Sequence, residues 1–129
     1  MSTLARRPRV LIADDHADLV KAVSRLLAVD CDVVGTVADG SAVLDAASRL
    51  RPDVVVVDLN LPNLNGLEAC RQITDRHPQM KVIVFTAMND PDIRQRSFEV
   101  GAAAFVHKGS GNGELLSTVK RVCVTTKVD

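Results

Sequence analysis

With 129 residues, 47% hydrophobic and 25% charged, the chain has the size and composition of one globular domain, one that buries about two-thirds of the surface its unfolded form exposes. Sixteen basic residues offset sixteen acidic ones, which leaves no overall field to draw it onto nucleic acid or an anionic membrane, and no stretch approaches the roughly eighteen apolar residues of a membrane span. Three phenylalanines are its only aromatics, so the core must be aliphatic, and the three scattered cysteines, Cys31, Cys70 and Cys123, fit buried thiols in a reducing cytoplasm better than a disulfide frame or a zinc site.

Residues 1–8 carry Arg6 and Arg7, lack the apolar block of a signal peptide, and are expected to form a frayed N-terminal tail. A first strand at Val10–Ala13 ends in Asp14-Asp15. The first helix, about Ala17 to Ala28, sets Leu19, Val20, Val23, Leu26 and Leu27 on one stripe, with Lys21 and Arg25 away from it. A second strand at Asp32–Val37 leads through Asp39-Gly40 to a helix from Ser41 to Leu50, which Pro52 stops. The third strand, Val54–Val57, ends in Asp58. Its helix begins near Asn65-Gly66, buries Leu67, Ala69, Cys70 and Ile73, and stops before Pro78. Strand four, Val82–Phe85, leads to Thr86. Helix four opens at Pro91 with Asp90 as its N-cap and closes at Gly101. Strand five, Ala104–Val106, runs into Lys108 and the glycine-rich segment 108–113, expected to be mobile. The last helix, Gly113–Val124, turns Leu115, Leu116, Val119 and Val122 inward, giving a domain over residues 9–125 and a short tail at 126–129.

Valine-rich runs of four or five residues alternating with helical segments indicate an α/β domain with a parallel sheet covered on both faces. Right-handed crossovers give a doubly wound sheet in the order 2-1-3-4-5, with its crevice between strands one and three. Asp14, Asp15 and Asp58 flank that crevice at the ends of those strands.

Two like charges about 4 Å apart repel by roughly 4 kcal/mol at an effective dielectric near 20, so three gathered carboxylates need a counter-charge. Mg²⁺, held by one or two carboxylates with water and a phosphate oxygen, supplies one. Thr86 and Lys108 converge on the same edge, where a hydroxyl and an ammonium can stabilise a phosphoryl group. Asp58, standing singly, is the candidate nucleophile for an aspartyl phosphate.

Over about Arg9 to Val124 this ordered set resembles the receiver domains of two-component response regulators: Asp14-Asp15 after strand one, Asp58-Leu59-Asn60-Leu61-Pro62 with Gly66 following, Thr86-Ala87 after strand four, and Phe105 three residues before Lys108. The resemblance implies a flavodoxin-like five-stranded fold with five helices. Asp58 would take a phosphoryl group from a histidine kinase or phosphotransfer protein, and Asp14, Asp15, Asp58 and the backbone carbonyl of Asn60 would hold Mg²⁺. Lys108 and Thr86 would contact the phosphoryl oxygens, Thr86 and Phe105 would form a switch pair, and Asn60 and Met88 would tune dephosphorylation. The surface of helix four, strand five and helix five would carry the signal to an output domain or partner.

Asp14-Asp15-His16 together with Gly66-Leu67-Glu68 is most like receivers that precede a helix-turn-helix output domain, which implies a role in transcription regulation without direct DNA contact by this segment. Gly109 stands where many members have proline, and Phe105 where tyrosine is more frequent. Helices one and five expose residues that could pair with a second copy.

Plainer readings accompany these. Asp14-Asp15 could cap the first helix, His77 could complement a helix dipole, and His107 is expected to face solvent. His16, beside the acids, could be a metal ligand or phosphoryl carrier, but reads rather as an exposed first-turn histidine, since Mg²⁺ prefers oxygen. The competing functions are a phosphohydrolase using an aspartyl phosphate, disfavoured because Asn60 stands where a general acid would be needed, and a degenerate receiver that only binds partners. On the leading reading the chain is no enzyme beyond catalysing its own phosphoryl transfer and loss.

Overall fold

The computed structural model describes residues 7–127. Five strands and five helices alternate: β1 (Arg9–Ala13), α1 (Ala17–Leu27), β2 (Asp32–Val37), α2 (Gly40–Leu50), β3 (Val54–Val57), α3 (Gly66–Arg76), β4 (Lys81–Thr86), α4 (Pro91–Glu99), β5 (Ala104–His107) and α5 (Asn112–Lys127), with a 3-10 turn at Lys108–Ser110. The sheet is parallel, in the order β2-β1-β3-β4-β5. The expected order and element types hold. Boundaries move by a residue or two, except that α5 continues to Lys127, there being no Gly or Pro after Gly113 to end it.

The uninterrupted apolar runs have their cause in two cores, one on each face of the sheet. Leu11, Ala13, Val55, Val57, Val82 and Val84 point to one face and pack with Val43, Ala46 and Ala47 of α2 and with Ala69, Cys70 and Ile73 of α3. Their neighbours Val10, Ile12, Val54, Val56, Ile83 and Phe85 point to the other, against Val23 and Leu27 of α1 and Leu115, Val119 and Val122 of α5. Because successive strand residues alternate faces, a strand buried on both sides must be apolar throughout. Each fully buried valine, leucine or isoleucine contributes about 1.5–3 kcal/mol.

The register positions the functional edge. Ala13, Val57, Val84 and Phe105 lie in one row across the sheet. The residues that follow them therefore emerge together: Asp14 and Asp58 one position on, Thr86 two, Lys108 three. Backbone hydrogen bonds from Asp14 N to Val37 O, at 3.0 Å, and from Asp58 N to Ala13 O, at 2.9 Å, continue the ladder to those acids.

Helix α3 starts directly against this edge. A Cβ at Gly66 would lie 2.4 Å from the carbonyl oxygen of Asp58 and 2.6 Å from the Cα of Leu59, so only glycine allows the approach. Asn65 then caps the helix, its side chain accepting from Glu68 N.

Of the segment expected to be a tail, residues 1–6 lie outside the described residues, while Arg7 is tied to the body. Its guanidinium donates to the carbonyls of Ala28 and Cys31 and pairs with Asp32 at 3.0 Å, satisfying the chain just beyond the end of α1. Residues 128–129 of the expected C-terminal tail also lie outside the described residues. Among the described residues no helix is long and apolar enough to cross a membrane.

Candidate functional site

Asp14, Asp15 and Asp58 meet at the carboxyl ends of β1 and β3. One ligand atom from each, together with one from His16, falls within 4.8 Å of all the others. Asp14 and Asp58 are buried and Asp15 is exposed. Lys108 reaches in from the end of β5, its Nζ 2.7 Å from Asp14 Oδ2 and 3.1 Å from Asp58 Oδ2. The second contact is a hydrogen bond donated by the ammonium; the first is an ion pair whose direction leaves Asp14 Oδ2 a buried carboxylate oxygen without a hydrogen bond.

Asp58 Oδ1 accepts from Asn60 N at 3.3 Å, which turns the chain at the end of β3. Asp14 Oδ1 accepts from His16 N at 2.9 Å and lies 2.6 Å from His16 Nδ1. Burial pushes the Asp14 carboxyl up, but the Lys108 ammonium and the His16 contacts outweigh it, and its pKa lies below the ordinary aspartate value. Asp14 is therefore held charged while buried. The acids do not cap α1: its N-cap is His16, without a side-chain cap bond.

Thr86, fully buried, closes β4, and its hydroxyl oxygen accepts from Met88 N at 3.1 Å. One lone pair is thus used and the O–H remains to be directed elsewhere. Phe105 lies in the row of Val84, half-buried against the core beneath α2, α3 and α4, on the face of the sheet that Thr86 shares. Asn60 and Met88 are exposed at the rim.

Sequence reasoning brought Asp14, Asp15, Asp58, Thr86 and Lys108 to this edge, and there they are. Three contacts there were not read from the sequence. His16 is exposed beside the acids, as expected, and its Nδ1 turns toward them, 3.6 Å from Asp58. Phe85 places its ring centroid 5.6 Å from Lys108 Nζ, adding a cation–π contact that steadies the ammonium. Strand parity put Phe85 in the core but carried no sign of this contact. His107, expected to face solvent, is half-buried, and both its nitrogens are engaged by backbone groups at the surface. The glycine-rich segment after it, expected to be mobile, includes the 3-10 turn Lys108–Ser110. His77, expected to complement a dipole, is the C-cap of α3 and lies 3.1 Å from Ser48 Oγ of α2.

A metal fits this donor set by its chemistry. Three carboxylates offer hard oxygen ligands within 4.8 Å of one another, and the single Lys108 ammonium offsets only part of their charge.

The family model for the response regulator receiver domain matches residues 10–120. The response regulator GacA of Pseudomonas viridiflava is 39% identical over 118 residues, covering 88% of this chain and 54% of its own length. The chain thus spans about half the length of the first curated relatives it matches. Among solved structures, a LuxR-family two-component response regulator from Aurantimonas sp. SI85-9A1 superposes with a TM-score of 0.88 at 28% identity, over 92% of this chain and 86% of its own. The response regulator domain of Thermotoga maritima CheB does so with a TM-score of 0.85 at 30% identity, over 96% and 99%.

Proposed function

We propose that this chain, which belongs to the family of response regulator receiver domains, works as a phosphorylation-controlled switch with Asp58 as its phosphoryl acceptor. The observation that carries the reading is the shared ammonium: Lys108 Nζ contacts both Asp14 and Asp58 at the edge where β1, β3 and β5 end. A buried acid with a cation already beside it is poised to receive a group that brings further negative charge.

On this reading a carboxylate oxygen of Asp58 attacks the phosphorus of a phosphohistidine on a kinase or phosphotransfer partner. The O–P bond forms as the N–P bond breaks, and the electron pair returns to the departing imidazole. Lys108 neutralises charge on the equatorial oxygens, and Thr86 turns its O–H toward one of them. Asp14, Asp15, Asp58 and the Asn60 carbonyl would hold Mg²⁺, which when bound supplies charge neutralisation to the same oxygens. Asn60 N, through its bond to Asp58 Oδ1, orients the acceptor carboxylate.

The output follows from Thr86. Its hydroxyl accepts from Met88 N, so drawing it toward a phosphoryl group pulls on the segment that leads into α4. The space vacated lies on the face occupied by Phe105, whose ring can turn inward. The altered surface is that of α4, β5 and α5, read by an output domain or partner. Two states of a packed element, biased by local charge, are enough for such a switch.

The test is incubation with Mg²⁺ and acetyl phosphate, followed by intact mass. A single hydroxylamine-sensitive phosphoryl group on the wild type, and none on Asp58→Asn, is expected. Sustained turnover of a phosphate ester would mark a phosphohydrolase instead.

A further inference from the structure

Lys108 has to be held in place by a loop with little to hold it. Gly109, Gly111 and Gly113 fall within five residues, and Gly109, Ser110 and Gly111 are exposed. Glycine leaves the backbone freer than any other residue, so the direction of Lys108 must be fixed by contacts made from outside that run.

Asp14, Asp58 and the Phe85 ring hold the ammonium, and the side chain of His107 holds the backbone. Its Nδ1 lies 3.1 Å from Gly109 N, a backbone donor, so Nδ1 is the accepting nitrogen. Its Nε2 lies 3.0 Å from the carbonyl oxygen of Ala87, which can only accept. Both bonds are satisfied together by one form of the ring, the neutral imidazole with its proton on Nε2. The ring thus spans two loops. Ala87 directly follows Thr86, and Gly109 directly follows Lys108, so one imidazole fixes the distance between the two arms that face the acids.

Gly109 is the second half of the device. A Cβ at this position would lie 2.8 Å from Cε1 and 2.9 Å from Nδ1 of His107, so any side chain there displaces the ring. The φ of Gly109 is not in the left-handed region, which belongs in this loop to Gly111 at 93°. The glycine at 109 is therefore required by the histidine rather than by the backbone.

We propose that His107 is a positioning residue for phosphoryl transfer: its neutral imidazole clamps the Lys108 loop to the Thr86 loop, and Gly109 is the space that admits the clamp. The proposal rests on the switch reading above for its consequence in transfer, but not for the clamp itself.

Three measurements test it. Long-range ¹⁵N–¹H spectra of the imidazole at neutral pH are expected to show the proton on Nε2. Amide exchange at Gly109 is expected to accelerate about tenfold in His107→Ala, the scale of one lost hydrogen bond, and to stay near wild type in His107→Asn, whose short amide can still accept two residues on. Phosphorylation by acetyl phosphate should slow by about 3- to 10-fold in His107→Ala, with recovery in His107→Gln, whose longer amide can still reach Ala87. Gly109→Ala should reproduce that slowing in the wild type and add almost nothing to His107→Ala.

A proton on Nδ1, equal Gly109 exchange in wild type and His107→Ala, or a Gly109→Ala effect of the same size in both backgrounds would each overturn the clamp. Should the wild type accept no phosphoryl group at all, the switch reading falls, while the tautomer and the exchange rates still decide the clamp.

Discussion

Asp58 and Lys108, fifty residues apart in sequence, are joined by a 3.1 Å hydrogen bond at the carboxyl edge of the sheet, and the same ammonium stands 2.7 Å from Asp14. One cation therefore serves two buried carboxylates. Everything assigned to this edge depends on that shared charge.

Replacing the ammonium with an apolar side chain of similar length separates its two tasks. Lys108→Met leaves Asp14 and Asp58 without their counter-charge, and breaking a buried pair in this way costs about 3 kcal/mol. Urea unfolding in the absence of divalent cations is expected to show that loss, and Mg²⁺ to restore part of it. Transfer from acetyl phosphate should fall about 100-fold, the scale of removing one charge-stabilising donor.

The wild type should be stabilised by Mg²⁺ through mass action. At ten times its dissociation constant a ligand bound only by the folded state adds about 1.4 kcal/mol. A thermal melt with and without Mg²⁺ reads this directly. Asp14→Asn and Asp58→Asn should each shrink the shift, and removal of the metal by EDTA should reverse it.

Gly66→Ala is expected to be costly for so small a change. The new methyl group would meet the Asp58 carbonyl at 2.4 Å and the Leu59 Cα at 2.6 Å, both backbone atoms that cannot swing aside. Forced overpacking costs about 1–3 kcal/mol, measurable as a lower urea midpoint. Since α3 must retreat from the residue that carries the acceptor, phosphorylation should slow as well.

Asp14 gives the site a defined acid dependence. Its folded pKa lies below the unfolded value, so its contribution is complete above about pH 4 and is lost as the pH falls through the folded value. Urea midpoints taken in EDTA from pH 6 downward should show the wild type losing stability relative to Asp14→Asn on acidification. A difference independent of pH would mean that Asp14 is not held charged.

Much of this edge is legible in the chain. Val54 to Val57 can only be a strand buried on both faces, and such strands lie inside parallel sheets whose ends gather at one edge. Asp14, Asp58, Thr86 and Lys108 follow from that alone. What the chain conceals depends on how side chains turn at loop ends. His107 reads as a surface residue because the two groups that bind it, the Ala87 carbonyl and the Gly109 amide, are backbone atoms present in every sequence. Arg7 reads as part of a tail for the same reason, since Ala28 and Cys31 receive it through their carbonyls. Phe85 was visible as core, but its contact with Lys108 required knowing how far the lysine folds back over the end of β4.

The most direct test is to locate the phosphoryl group. After incubation with Mg²⁺ and acetyl phosphate, borohydride reduction converts an aspartyl phosphate to homoserine, which peptide mapping can place in the chain. Homoserine at position 58 alone, and nowhere in Asp58→Asn, is the predicted result; homoserine at another aspartate, or none under conditions where the folded protein binds Mg²⁺, would contradict it.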